Sequence, residues 1–155
     1  MDSVHLIRAY VNEASRYLAK MTVTYGSKNV QNGILLSKSE TAHFPNISLV
    51  LMPGLLYTLA MVDPDAPCPD DPKFGPWLHY YVHDISSENK KGKEILSYSG
   101  PSPPRGTHHY VFLLFVQKSG PVKPTVDRPM NFPLTKFINN NDLELKELLY
   151  FKVKA

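Results

Sequence analysis

A chain of 155 residues, 43% hydrophobic and 20% charged, has the size and composition of one globular domain, which argues against wholesale disorder and against dependence on disulfides. A net charge of +3 is too small to imply a nucleic-acid partner, and the only tight lysine group, Lys90, Lys91 and Lys93, reads as a solvated loop. The lone cysteine, Cys68, excludes an internal disulfide and favours a reducing compartment. No leader or membrane span is legible, so the expected location is cytoplasmic, with membrane contact at most peripheral.

The first segment reads as a helix. Val4, Ile7, Val11, Ala14 and Leu18 repeat at three- and four-residue steps, with Leu6, Tyr10 and Tyr17 widening the stripe and Asp2 or Ser3 as the cap. Strands follow over residues 21–25, 47–52, 57–62, 78–84, 109–116 and 148–153. They are short, rich in β-branched and aromatic residues, and separated by Gly, Pro and Asn. One later helix is expected, with Pro133 in its first turn, Leu134, Phe137 and Ile138 on one face, and Asn139 to Asn141 as the stop. Many strands with two peripheral helices predict a mainly β, two-sheet fold, and the absence of repeats or linkers makes residues 1–155 one domain. Ten of the 14 prolines fall between Pro64 and Pro124, in segments that must be stiff loops or strand ends.

Two segments carry chemistry. In the first, Asp63 and Asp65 leave an apolar strand among the prolines Pro64 and Pro67. Downstream, Phe74 and Trp77 stand where they can wall a cavity, and alternation puts His79, Tyr81 and His83 on one strand face, opposite Leu78, Tyr80 and Val82. The second runs from Gly100 to Tyr110 and into Phe115. Alternation places His108 and Tyr110 together and His109 on the other face. The turn before them offers backbone N–H groups of Gly100, Ser102 and Arg105 as an anion-binding concavity. A hydrolytic triad of Ser102, His108 and Asp63 is disfavoured, because no Gly-x-Ser-x-Gly elbow is present. A metal site is disfavoured too: His79 and His83 lie ~13 Å apart along a strand, leaving only His79, His108 and Asp63 as a cross-strand set. No cofactor or metal is expected.

These segments, with Asp71 to Phe74, Trp77 to His79, Asp127-Arg128, Asn131-Phe132, Phe137 and the closing strand, resemble the signature regions of the phosphatidylethanolamine-binding proteins. That family includes the animal Raf-kinase inhibitor proteins and the plant flowering-time regulators. The resemblance covers the chain from about Met21 onward. It implies antiparallel sheets with a small pocket at one end, lined by Asp63, Trp77, His79, Gly100, Ser102, Pro103, His108 and Tyr110 and walled by Ala66, Pro67 and Phe74. It further implies a non-enzymatic, monomeric binding protein that takes a phosphate-type anion or phospholipid headgroup and regulates a protein partner such as a kinase or scaffold. A serine protease inhibitor or a lipid-related hydrolase of the same fold is the alternative.

Three features depart from the family. The Gly106-Thr107-His108 turn is tighter than in animal members, and Ser102 stands where they have glycine. The N-terminal helix matches no family element, and no C-terminal helix follows to cover the pocket, so a more open pocket is expected. Asp63 is expected either to accept a hydrogen bond from His79, favouring its imidazolium, or to face the ammonium of a headgroup. Both predict tighter anion binding as pH falls. Arg105 is placed at the rim, where it favours an acidic or phosphorylated partner, and Cys68 beside the wall.

Overall fold

The computed structural model describes residues 2–17 and 19–155. Helix α1 spans Ser3–Asn12, and the Asp2 side chain caps it by accepting from the His5 N–H. It is shorter than its apolar stripe suggests. The chain tightens into a 3-10 turn at Ala14–Arg16, and Leu18, the last residue of that stripe, lies outside the described residues. Among the described residues nine strands follow: β1 Thr22–Tyr25, β2 Lys28–Asn29, β3 Ile34–Leu36, β4 Asn46–Ser48, β5 Tyr57–Asp63, β6 Trp77–Ile85, β7 Lys93–Leu96, β8 Thr107–Gln117 and β9 Leu143–Lys154. Helix α2, Leu134–Asn140, precedes β9. Among the described residues no helix is long and apolar enough to cross a membrane.

The strands form a small sheet in the order β2-β1-β4 and a large one in the order β3-β9-β8-β5-β6-β7. Strands β5 and β8 are central, and from Tyr110 onward β8 has no exposed residue, which explains its continuous apolar sequence. One face of the large sheet packs on the small sheet: Leu59, Met61, Val82, Tyr110, Phe112, Leu114 and Phe151 meet Val23 and Tyr25. The opposite face packs on the helices, where Ala60, Val62, Leu78, Tyr81, Val111 and Leu113 meet Ile7, Phe132 and Leu134. Alternation along each strand sorts these two sets, and their burial is the main stabilising contribution.

Several expectations need correction. The sheets are not wholly antiparallel, since β3 runs parallel to β9 with Ile34 opposite Phe151. Of the strand expected over 47–52, only Ile47 and Ser48 pair with β1, in a strand that starts one residue earlier at Asn46; Leu49 to Met52 run as irregular chain towards the turn at Pro53-Gly54. Lys93 is not in a loop but opens β7. The alternation of β6 breaks at His79. Val62 faces Leu78 whereas Met61 faces Tyr80, so His79 is the extra residue of a bulge. Leu78 therefore packs with Tyr81 on the helix side, while Tyr80 packs with Val82 on the other.

Candidate functional site

Strands β5, β6 and β8 deliver Asp63, His79, His108 and Tyr110 to one end of the large sheet. There, the proline-rich loop between β5 and β6 and the proline-rich segment leading into β8 enclose a cavity of about 400 Å³. All eleven residues expected at the site line it: Asp63, Ala66, Pro67, Phe74, Trp77, His79, Gly100, Ser102, Pro103, His108 and Tyr110. Ser99 and Pro104 complete the lining. The bulge at His79 turns that ring toward β8, where it meets the Tyr110 ring edge-on at 5.2 Å. Tyr110 in turn stacks on Phe151 and His108, which roots the pocket in the core. The loops are braced by Phe74 N–H donating to Ala66 O, and by Gly100, whose α-carbon hydrogen faces Thr41 O so closely that a methyl there would stand 2.9 Å from it. Larger clefts of about 530, 1060 and 550 Å³ lie beside α2, between β4 and β7, and between α1 and the chain at residues 72–76. None of the three contains a buried carboxylate.

The two histidines play different parts. His108 is wholly buried, with Nδ1 2.7 Å from Asp63 Oδ2 and Nε2 2.8 Å from Arg105 O. Both partners are acceptors, so the geometry favours a ring that donates from both nitrogens, the imidazolium form. Burial works against that charge, but the hydrogen bond and charge of Asp63, helped by the Arg105 carbonyl, raise the pKa above the ordinary value. His79 is opposite in character. Burial lowers its pKa, and the Ser99 carbonyl and Asp63 offset this only in part. Its Nδ1 donates to Ser99 O at 2.6 Å, which in the neutral ring leaves Nε2 as a free lone pair at the cavity. Burial, and then the nearby Asp63 charge, keep the Tyr110 phenol protonated.

This corrects the expected pairing. Asp63 engages His108, not His79, and its other oxygen accepts from the Asp65 N–H at 2.7 Å. His79 is held neutral rather than charged, so it becomes a donor to an anion only by taking up a proton. Arg105 does not line the cavity and contributes its carbonyl instead. Cys68 also lies off the lining, half-buried, with Sγ 3.8 Å from Asp71 O. Gly100 and Ser102 line the cavity, and within the described residues their N–H groups have no protein acceptor.

Sequence reasoning passed over the polar layer behind the pocket. Asp65 is buried and accepts from Arg8 Nη2 at 2.8 Å, from the His109 N–H at 2.7 Å and from His109 Nδ1 at 2.9 Å. Burial would raise its pKa, but these three donors outweigh it and hold the carboxyl below its usual range. The only signal in the sequence was the second aspartate of Asp63-Pro64-Asp65, whose partners are distant in the chain.

The family model described as phosphatidylethanolamine-binding protein matches residues 16–151. Protein MOTHER of FT and TFL1 homolog 2 of Oryza sativa subsp. japonica is 38% identical over 131 residues, spanning 81% of this chain and 75% of that protein. Protein TERMINAL FLOWER 1 of Arabidopsis thaliana is 38% identical over 132 residues, spanning 81% and 73%. Among solved structures, carboxypeptidase Y inhibitor, crystallised in complex with its cognate proteinase, superposes with a TM-score of 0.80 at 26% identity, covering 97% of this chain and 91% of that one.

Proposed function

From the premise that the chain belongs to the phosphatidylethanolamine-binding protein family, we propose that it is a non-enzymatic regulatory binding protein whose pocket takes a phosphate-type group, from a phosphoethanolamine headgroup or a phosphorylated residue. The observation that carries this reading is the cavity itself. It sets two unpaired backbone N–H groups, Gly100 and Ser102, beside a histidine with one free nitrogen, in a volume that suits a small headgroup. The same geometry argues against hydrolysis. His108 cannot serve Ser102 as the base of a triad, because both its nitrogens are committed to Asp63 and Arg105. The cross-strand metal set is weakened for the same reason, since His108 offers no lone pair. The likeness to carboxypeptidase Y inhibitor, crystallised with its cognate proteinase, supports action through a protein partner, a kinase or scaffold being the class expected of this monomeric, cytoplasmic protein.

Anion binding then requires His79 to take up a proton at Nε2, so affinity rises as pH falls from 8 to 6. With one proton taken up, the change approaches about tenfold per pH unit where His79 is neutral in the free protein. Phosphate titrates in the same range, so sulfate serves as the control anion. The test is an NMR titration with sulfate, phosphoethanolamine and phosphotyrosine at the two pH values, repeated with His79→Ala. Shifts confined to residues around the cavity, stronger at pH 6 and lost in the variant, are expected. Binding of none of the three, or sulfate affinity flat with pH, refutes the reading. Stronger competition by phosphotyrosine than by phosphoethanolamine assigns the pocket to a phosphorylated partner.

Protease inhibition is the second reading, favoured by the likeness to the carboxypeptidase Y inhibitor. Inhibition of carboxypeptidase Y by this chain, undiminished in His79→Ala, would support it and place it outside the pocket.

A further inference from the structure

We propose that helix α1 is a working part of the pocket, with Arg8 as a positioning residue that holds the loop after Asp63 in its binding geometry. This rests on the reading of the cavity as a ligand site. Arg8 reaches out of α1 with its side chain 39% exposed and donates from Nη2 to Asp65 Oδ1 at 2.8 Å and to Pro69 O at 3.1 Å. It thus spans residues 65–69, the stretch that supplies the wall residues Ala66 and Pro67. Asp65 passes the constraint inward. Its own N–H donates to Asp63 Oδ1, and Asp63 Oδ2 holds His108. A continuous set of short polar contacts therefore runs from the surface of α1 to the buried imidazolium.

The same helix touches the second wall. A Cβ on Gly75 would stand 3.2 Å from Val4 Cγ2 and 2.6 Å from Pro64 O, so α1, the first loop and the chain between Phe74 and Trp77 are in close mutual contact. Ile7, fully buried, and Ser3, which accepts from the Thr135 N–H at 3.1 Å, seat the helix on the domain. Both pocket walls are in this way referred to one helix. Removing the Arg8 fork leaves Asp65 with only its two His109 donors and leaves Pro69 O without its partner. The loop loses its outer anchor, while the apolar seat of α1 remains.

The test uses the full chain with Arg8→Gln, Arg8→Lys and, as control, Asp2→Ala, which removes the helix cap without touching the loop. Two quantities are read: phosphate affinity by titration, and the ligand-free NMR signals of the His108 ring and the Asp65 amide. Arg8→Gln is expected to weaken phosphate binding by roughly three- to tenfold and to displace both signals. Arg8→Lys restores part of each, since both bonds leave the single nitrogen Nη2 and an ammonium keeps the charge and the donors on a shorter side chain. Asp2→Ala leaves both unchanged. Wild-type affinity with unmoved signals in Arg8→Gln overturns the proposal, and so does an equal loss in Asp2→Ala, which would trace the effect to helix stability alone. If the wild-type protein takes up no phosphate, the ligand-site reading falls by itself. The ligand-free signals still decide the role of Arg8: displaced in Arg8→Gln they support it, unmoved they overturn it.

Discussion

Replacing Asp63 by asparagine should destabilise the protein by an amount that depends on pH in a direction the structure dictates. Asp63 accepts from two donors, the Asp65 N–H and His108 Nδ1. An amide has one oxygen and one NH2 group. Its oxygen can keep the Asp65 N–H, and its NH2 then faces His108, which must present Nδ1 as an acceptor while Nε2–H stays on Arg105 O. A neutral imidazole satisfies every bond. Above pH 8 the variant therefore exchanges a charge-assisted hydrogen bond for a neutral one, a cost of about 1 kcal/mol. Below pH 6.5 the balance changes. In the wild-type protein the raised His108 pKa contributes stability that is fully present below the unfolded value near 6.5 and is lost as pH rises through the folded one. In the variant the buried ring resists protonation, so each pH unit below 6.5 costs it about 1.4 kcal/mol. The difference should reach about 2.4 kcal/mol at pH 5.5. For a chain of this size that is about 3 °C of melting temperature at pH 8.5 and about 7 °C at pH 5.5. His79, whose lowered pKa acts with the opposite sign, loses the supporting Asp63 charge in the variant, and this adds to the loss at low pH. Paired thermal melts between pH 5.5 and 8.5 make the comparison. A difference that is constant with pH, or larger at pH 8.5, would refute the assignment of His108 as a buried imidazolium.

Other expectations follow from the packing. Glu147 is buried and accepts from the Lys20 and Met21 N–H groups through one oxygen; Glu147→Ala should cost about 2 kcal/mol and speed hydrogen exchange at Met21. Gly100→Ala places a methyl 2.9 Å from Thr41 O and 3.0 Å from Ala42 O, so the pocket wall must shift. Anion affinity should fall at least about threefold for a stability loss of roughly 1 kcal/mol, read by titration alongside melting. Phe112→Ala, in the fully buried face between the sheets, should cost about 3–5 kcal/mol in urea unfolding with no change in the pH dependence of binding.

What the sequence disclosed depended on length and on how local each decision was. Strands β5, β6 and β8 were legible because seven to eleven residues of apolar and aromatic chain ended at Pro or Gly. Strands β2, β3 and β7 were not. They have two to four residues and sit at sheet edges; β2 and β7 carry Lys28, Asn29, Lys93 and Glu94, which read as loop, and β3 is only the three residues Ile34–Leu36. The resemblance to the family, not the periodicity, gathered the cavity residues. Alternation alone put His79 with Tyr81, because a bulge is set by the register of the partner strand and leaves no local mark. The choice of His108 over His79 as the partner of Asp63 was equally hidden, being decided by ångström-scale placement across β5 and β8. The role of Arg8 lay furthest out of reach, since a surface arginine on an amphipathic helix looks like any other.

The position of β9 in the large sheet bears on how the molecule assembles during synthesis. It lies between β3 and β8, with Leu36 and His108 both opposite Val153, and Ile34 and Tyr110 both opposite Phe151. Both neighbours leave the ribosome well before it does and must wait, one of them with an entirely apolar stretch uncovered. Pairings so remote in sequence are entropically slow to close, which sets folding on the millisecond-to-second scale typical of sheet proteins. The strand bearing His108 and Tyr110 can pair with β5 early but is fastened on its other side only once β9 arrives. Competence to bind should therefore wait on β9, and a chaperone that shields β8 would be guarding the pocket's future floor.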